Sequence, residues 1–192
     1  MGLRERNRHN TLVVTQRTAI AMFVEHGFDE VKVTDIAAEV DIAPSTLYRH
    51  FPTKESIVVW DEHDDEYGPA IARALQDRSP FAALRSAFVA VFAERYDTDT
   101  DFQLLRAQLM SDVPSIYAAS AADDAETQEQ LAHLIAPHLG DHDLDTARLL
   151  AGAALLASYW AFDRWQAESA TRPLAQLVDE AFDRMSHLAA VR

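Results

Sequence analysis

VTDIAAEVDIAPSTLYRHFPTKES, residues 33–56, holds two short amphipathic segments joined by a tight turn. Thr34 stands where an N-cap belongs, and Asp35 suits the positive end of a helix. Ile36, Ala37 and Val40 fall on one face at helical spacing. Val40-Asp41-Ile42-Ala43 turns the chain, and Pro44 fits the first turn of the next helix. That helix runs to Phe51, with Leu47 and Phe51 on its inner side. Ser45, Thr46, Tyr48, Arg49 and His50 are left facing largely outward. Pro52 ends it, and Thr53 caps a further helix that opens on Lys54.

Upstream, Leu12, Ala19, Ile20 and Phe23 trace one face of a longer helix over 11–26, which Gly27 stops. A longer helix followed by two short ones across a tight turn makes a helix-turn-helix. Docking into a major groove needs an apolar back, groups for phosphates and donors for base edges. Leu47 and Phe51 supply the back. Thr34, Thr46, Tyr48 and Lys54 can reach phosphates. Pro44, Ser45 and Arg49 point where base edges would lie, and an arginine there can take a guanine. Short helical hairpins also occur in all-α proteins that bind no DNA, so the spacing alone leaves both readings open.

The charge is uneven. The 192 residues carry a formal net charge of −14. Residues 1–56 contain seven Lys/Arg and eight Asp/Glu, whereas 57–192 contain ten and 23. An acidic body repels nucleic acid, so any DNA contact must come from a local face of the near-neutral head. Absence of cysteine excludes disulfides and thiol chemistry. The 14 uncharged residues LLAGAALLASYWAF, 149–162, are too short to span a bilayer and suit a buried helix. MGLRERNRHN lacks the apolar run of a secretion signal. No membrane association and a cytoplasmic location are therefore expected. The body reads as helices near 54–67, 70–77, 81–96, 101–112, 114–121, 125–139, 145–168 and 174–190. Gly68-Pro69, Ser79-Pro80, DTDTD at 97–101, Pro114, Pro137 with Gly140, and Pro173 act as breaks. AASAADDAE, 118–126, is the most loop-like stretch. The fold class is all-α, with a helix-turn-helix domain over 1–56 and a second helical domain over 57–192.

GFDEVKVTDIAAEVDIAPSTLYRHFPTKESIV, 27–58, resembles the DNA-binding head of TetR-family transcriptional regulators. The resemblance rests on Gly27-Phe28, Thr34, Ile36-Ala37, Thr46-Leu47-Tyr48, His50-Phe51 and Lys54. It implies that the outward residues of the third helix read a double-stranded DNA operator, with Thr46, Tyr48 and Lys54 holding its backbone. Two positions depart from the family pattern. Asp41 stands where glycine is common and must visit left-handed backbone space. Ala43 replaces a serine cap, a loss of about 1 kcal/mol that Pro44 partly offsets.

The resemblance further implies that the remaining helices bind a lipophilic effector and form a homodimer. Ala151, Gly152, Ala153 and Ala154, with Leu174, Leu177, Val178, Ala181, Phe182, Met185 and Leu188, would make a four-helix interface, or would pack inside one subunit. Effector candidates are Trp60, Phe88, Phe92, Arg106, Leu109, Met110, Tyr117, Tyr159, Trp160, Arg164 and Trp165. SIVVWDEHDDEY, LLRAQLMSDVPSIYA and LLASYWAFDRW resemble a subgroup that senses acyl-coenzyme A-like ligands, including regulators near mycofactocin genes. There Arg106 or Arg164 would meet phosphate or thioester oxygens. The same plan suits a sensor of drugs or aromatic compounds, or a ligand-binding protein whose head no longer touches DNA. DTDTDF lacks the glycine of a calcium loop, DEHDDE reads as a solvated acidic face, and Gly140 separates His138 from His142, so no metal is expected. No nucleophile-elbow, phosphate-loop or zincin motif is present, so neither a catalytic residue nor a cofactor is expected.

Overall fold

The computed structural model describes residues 2–188, and its regular structure there is entirely helical. The elements are α1 (Leu3–His26), α2 (Val33–Glu39), α3 (Pro44–His50), α4 (Lys54–Val59), α5 (Asp64–Ala74), α6 (Pro80–Val91), α7 (Thr100–Asp112), α8 (Pro114–Ile135), α9 (Leu144–Ala167) and α10 (Leu174–Leu188). A π-turn, Phe92–Tyr96, continues α6, and two 3-10 turns, Ala136–His138 and Gly140–His142, separate α8 from α9. The chain forms two compact units. The first reaches to Glu62 and includes Leu105–Ala121; the second comprises His63–Leu104 and the chain from Ala122 onward.

In the first unit α1 packs on α2 and α4, and α2 on α3. Ala19, Ile20 and Phe23 of α1 are buried with Ile36, Ala37, Leu47, Phe51, Ile57 and Val58. Gly27 ends α1 at φ 90°, a conformation L side chains rarely adopt, and its N–H reaches Phe23 O at 3.0 Å. The Phe28 ring then folds edge-on against Phe23 at 4.9 Å.

The C-terminal end of α4 presents carbonyls with no helical partner. Gln16 and Arg106 supply partners. Gln16 Nε2 donates to Ile57 O at 2.9 Å and also to Trp60 O. Arg106 Nε donates to Val58 O at 2.8 Å and Nη2 to Val59 O at 2.7 Å. Its Nη1 meets Asp61 Oδ2 at 2.8 Å, and both Gln16 and Arg106 are buried.

The second unit packs α10 on α9 and α6, and α5 on α6. Arg85 of α6 ties down α10 through Asp179 and Asp183, each at 2.6 Å. Asp97 caps α10 from far along the chain, accepting from Leu174 N at 2.6 Å and Ala175 N at 3.2 Å. The core contains Ala147, Ala151, Ala154, Ala157, Ala161 and Trp165 of α9, facing Leu174, Leu177, Val178 and Phe182 of α10.

Several expectations need correction. α1 begins at Leu3, not near residue 11, and Glu5 accepts from Gly2 N at 3.2 Å. α2 starts one residue before Thr34; Asp35 Oδ2 accepts from Lys32 N at 3.1 Å, so the aspartate caps and Thr34 does not. The helix expected over 54–67 stops at Val59, because its terminal carbonyls are taken by Gln16 and Arg106. Gly68-Pro69 breaks nothing and lies inside α5, where the bond Pro69 cannot make is to exposed Asp65. Residues 118–126 are helical within α8, since alanine, the best helix former, dominates them and neither Gly nor Pro interrupts. DEHDDE is not simply solvated: Asp61 pairs with Arg106, Glu62 with His9 and Arg17, and Glu66 with Arg95. Leu174, Leu177, Val178, Ala181 and Phe182, expected at a subunit interface, are buried within the protomer, as are Ala151 and Ala154. Residues 189–190 of the expected last helix, and the Leu188 side chain, lie outside the described residues.

Removing Arg106 takes its guanidinium away from Asp61 and from the Val58 and Val59 carbonyls in a largely buried setting. Arg106→Ala is therefore expected to cost about 3–5 kcal/mol, read as a lower urea midpoint at unchanged slope.

Candidate nucleic-acid interface

The turn between α2 and α3 is built by hydrogen bonds that end α2. Ile42 N reaches Ala37 O at 2.9 Å and Asp41 N reaches Ala38 O at 3.2 Å, the paired bonds of a Schellman ending. Asp41 takes the left-handed conformation, φ 52°, that the motif demands. Ala43 stands at the N-cap of α3 with no side-chain bond, and Pro44 occupies the first turn. α3 is thus oriented by the α2 ending, by Pro44 and by its buried anchors Leu47 and Phe51.

The outward side of α3 is open. Pro44, Ser45, Tyr48 and Arg49 are exposed, Tyr48 by 50%, while Thr46 and His50 are half-buried. Burial first, then the charges of Arg49 and Arg8, push the His50 imidazole below its usual value. His50 therefore favours its neutral form, able both to donate and to accept. Thr34 is exposed on α2.

Lys54 is placed differently from the others. Its Nζ donates to Phe28 O at 2.6 Å and Val31 O at 3.0 Å, with Asp29 O at 3.5 Å. The ammonium also lies 4.5 Å from the Phe28 ring centroid. Lys54 thus ties the start of α4 to the α1–α2 loop. Beneath α3, the Phe51 ring packs edge-on to Trp60 at 5.9 Å, and Trp60 packs on His9 at 6.1 Å.

The candidate effector residues fall into three places. Trp60, Arg106, Met110 and Tyr117 belong to the first unit, with Arg106 engaged at the end of α4 and Tyr117 62% exposed. Phe88 and Phe92 are brought together in the second unit, stacked at 6.5 Å within an aromatic cluster. Tyr67 lies 4.9 Å from Phe88, Tyr96 4.6 Å from Phe92, and Phe162 5.7 Å from Phe92. Tyr159, Trp160 and Arg164 lie on α9, where Arg164 pairs with Glu168 at 3.0 Å and the Trp160 ring faces Arg164 and Arg184. Leu109 is half-buried, and Trp165 is buried core. Sequence reasoning missed Gln16, Tyr67, Tyr96 and Phe162. Tyr96 carries a readable signal, helical spacing from Phe88 and Phe92, whereas Tyr67 and Phe162 come from other helices and, like Gln16, carry none.

Residues 17–59 match the model of bacterial regulatory proteins of the tetR family, and 78–189 match that of the MftR C-terminal domain. The helix-turn-helix and these matches place the chain in the tetR family of transcriptional regulators. Its C-terminal portion is of the MftR type. Over 185 residues the chain is 27% identical to a putative mycofactocin biosynthesis transcriptional regulator, MftR, of Mycobacterium tuberculosis, covering 93% of this chain and 90% of that protein. It is 28% identical over 151 residues to the HTH-type transcriptional regulator TcmR of Streptomyces glaucescens, covering 75% of this chain and 66% of TcmR, just under two thirds. Among solved structures, FadR of Thermus thermophilus with lauroyl-CoA aligns at a TM-score of 0.59 and 22% identity, covering 94% of this chain and 96% of that one. SmeT with triclosan aligns at 0.63 and 16% identity, covering 94% and 91%. These two likenesses show the fold.

Lys54→Met is expected to lower stability by about 2 kcal/mol, the scale of a charge-assisted bond. Hydrogen exchange would show the loss as faster opening around Phe28–Val31.

Proposed function

We propose that this protein is a repressor that binds a twofold-related DNA operator as a homodimer and is released by a lipophilic effector. The observation that carries the reading is α3, with Leu47 and Phe51 buried and Ser45, Tyr48 and Arg49 exposed on the opposite side. Arg49 and Ser45 would read base edges, with Pro44 and His50 beside them, and Thr34, Thr46 and Tyr48 would hold phosphates. Lys54 would hold phosphate only by giving up a loop carbonyl. The functional division would fall near residue 56, with DNA work before it and effector binding and dimerisation after it, all in the cytoplasm.

The effector would enter the aromatic cluster around Phe88 and Phe92. An apolar lining with few polar groups suits a hydrocarbon chain or an aromatic ring. The structurally similar Thermus thermophilus FadR holds lauroyl-CoA, which favours a long-chain acyl-coenzyme A. SmeT holds triclosan, which favours the alternative of an aromatic compound. An effector acts only if it binds the released state better than the DNA-bound state. A shift of α7 would change the Arg106 grip on α4, and α4 follows the recognition helix directly.

The dimer would form on the outward side of α9. Leu149 and Leu156 are 75% and 62% exposed there, in line with Ala153 and Trp160 at helical spacing. An isologous contact would cover this row.

Binding to DNA from beside the protein's own gene, followed by fluorescence anisotropy with and without a long-chain acyl-coenzyme A, tests the reading. Tight binding relieved by the acyl compound is expected; binding relieved by triclosan alone would favour the aromatic alternative. Failure against a broad DNA pool would overturn the repressor. Arg49→Ala should cost roughly 1–3 kcal/mol and relax preference at one base position. Sedimentation at micromolar concentration should find a dimer for the wild type and a monomer for Leu156→Glu.

A further inference from the structure

We propose that the first two turns of α1 extend the DNA contact, with Arg4 and Arg8 taking backbone phosphates next to the groove that α3 enters. The inference deepens the DNA-binding reading and rests on it.

Four observations carry it. First, Arg4, Arg6 and Arg8 are exposed and, among the described residues, their guanidinium groups have no acidic or hydrogen-bonding partner. Elsewhere the acidic chain neutralises its own arginines. In the second unit Arg78, Arg85, Arg95, Arg148, Arg164, Arg172 and Arg184 each hold a carboxylate, and Arg73 alone of the described arginines there does not.

Second, the placement is unfavourable for the isolated protein. The helix is continuous from Leu3, so Arg4 and Arg8 share a face one turn apart and repel each other. Cations in the first turns also oppose the positive end of the helix dipole. Only Glu5 offsets this locally, and it is bonded to Gly2 N. A local conflict of this kind is expected where a partner resolves it. Closely spaced phosphates do so by charge complementarity.

Third, the fold brings this end of α1 to α3. His9 packs on Trp60 at 6.1 Å, and Trp60 packs on Phe51 at 5.9 Å, directly after the last residue of α3. Fourth, the charge of Arg8 is felt at His50 together with that of Arg49. Arg8 and Arg49 thus make one cationic edge on either side of the neutral His50, continuous with the residues proposed to read the operator.

The test compares wild type with the double variant Arg4→Gln, Arg8→Gln on one operator across a salt series. Each lost phosphate contact should flatten the slope of log Kobs against log[salt] by about 0.9, so the two arginines, present on both heads of a dimer, should together remove about 3.6. The ranking of single-base operator variants should stay unchanged, because phosphates carry no sequence information. Arg73→Gln, an exposed unpaired arginine in the second unit, should leave the slope as it is. Equal slopes for wild type and the double variant would overturn the proposal. So would equal flattening by Arg73→Gln, which would mean net charge alone. Wild type failing to bind any DNA would instead remove the DNA reading itself, and this contact with it.

Discussion

The end of α4 is the constraint on which the head depends. Four successive carbonyls, Ile57 to Trp60, face partners that are side chains rather than helix. A helix of one and a half turns is marginal alone. Here it is fixed at its start by Thr53, which accepts from Ser56 N at 3.1 Å, and by Lys54 on the α1–α2 loop. At its finish it is fixed by Gln16 and Arg106. α3 precedes it by only Phe51-Pro52-Thr53, so the orientation of α3 follows from this anchoring. Arg106 sits on α7, whose first residues belong to the second unit and whose remainder belongs to the first. The grip that stabilises the head therefore lies on an element shared with the rest of the chain.

Charge is arranged with the same economy. A chain of net −14 can meet DNA only where its acids are kept away or occupied. In the second unit several of them are held by arginines, as in the pairs of Arg85 with Asp179 and Asp183. In the head Glu62 is held by His9 and Arg17, and Asp61 by Arg106. That leaves Arg4, Arg8 and Arg49 exposed. Position of charge, rather than its sum, sets the surface that nucleic acid would meet.

The recognition hairpin was legible because its signals are local. Gly27, the left-handed turn at Asp41, Pro44, and the Leu47–Phe51 spacing each act within a few residues. The all-α class followed for the same reason. What was illegible is long-range. The stop at Val59 depends on Gln16 and Arg106, 41 and 48 residues from the carbonyls they take. The cap on α10 comes from Asp97, 77 residues away. The start of α1 has no apolar period to betray it, being polar all round. α8 looked loop-like through 118–126 because alanine-rich helix has little hydrophobic contrast. The face of α10 was visible, but periodicity cannot say whether an apolar stripe meets its own subunit or another; here it meets its own. Of the effector candidates, Phe88 and Phe92 are brought together with Tyr67, Tyr96 and Phe162, while others are spread over the chain, since an aromatic stripe marks burial before it marks a ligand.

The most direct measurement of the central claim is selection from a random double-stranded DNA pool by the full-length protein at moderate salt. The account predicts enrichment of one site made of two half-sites related by twofold symmetry, as a symmetric pair of helix-turn-helix heads requires. Recovery of a pool no richer in any sequence than the starting one, or of single half-sites without symmetry, would contradict it.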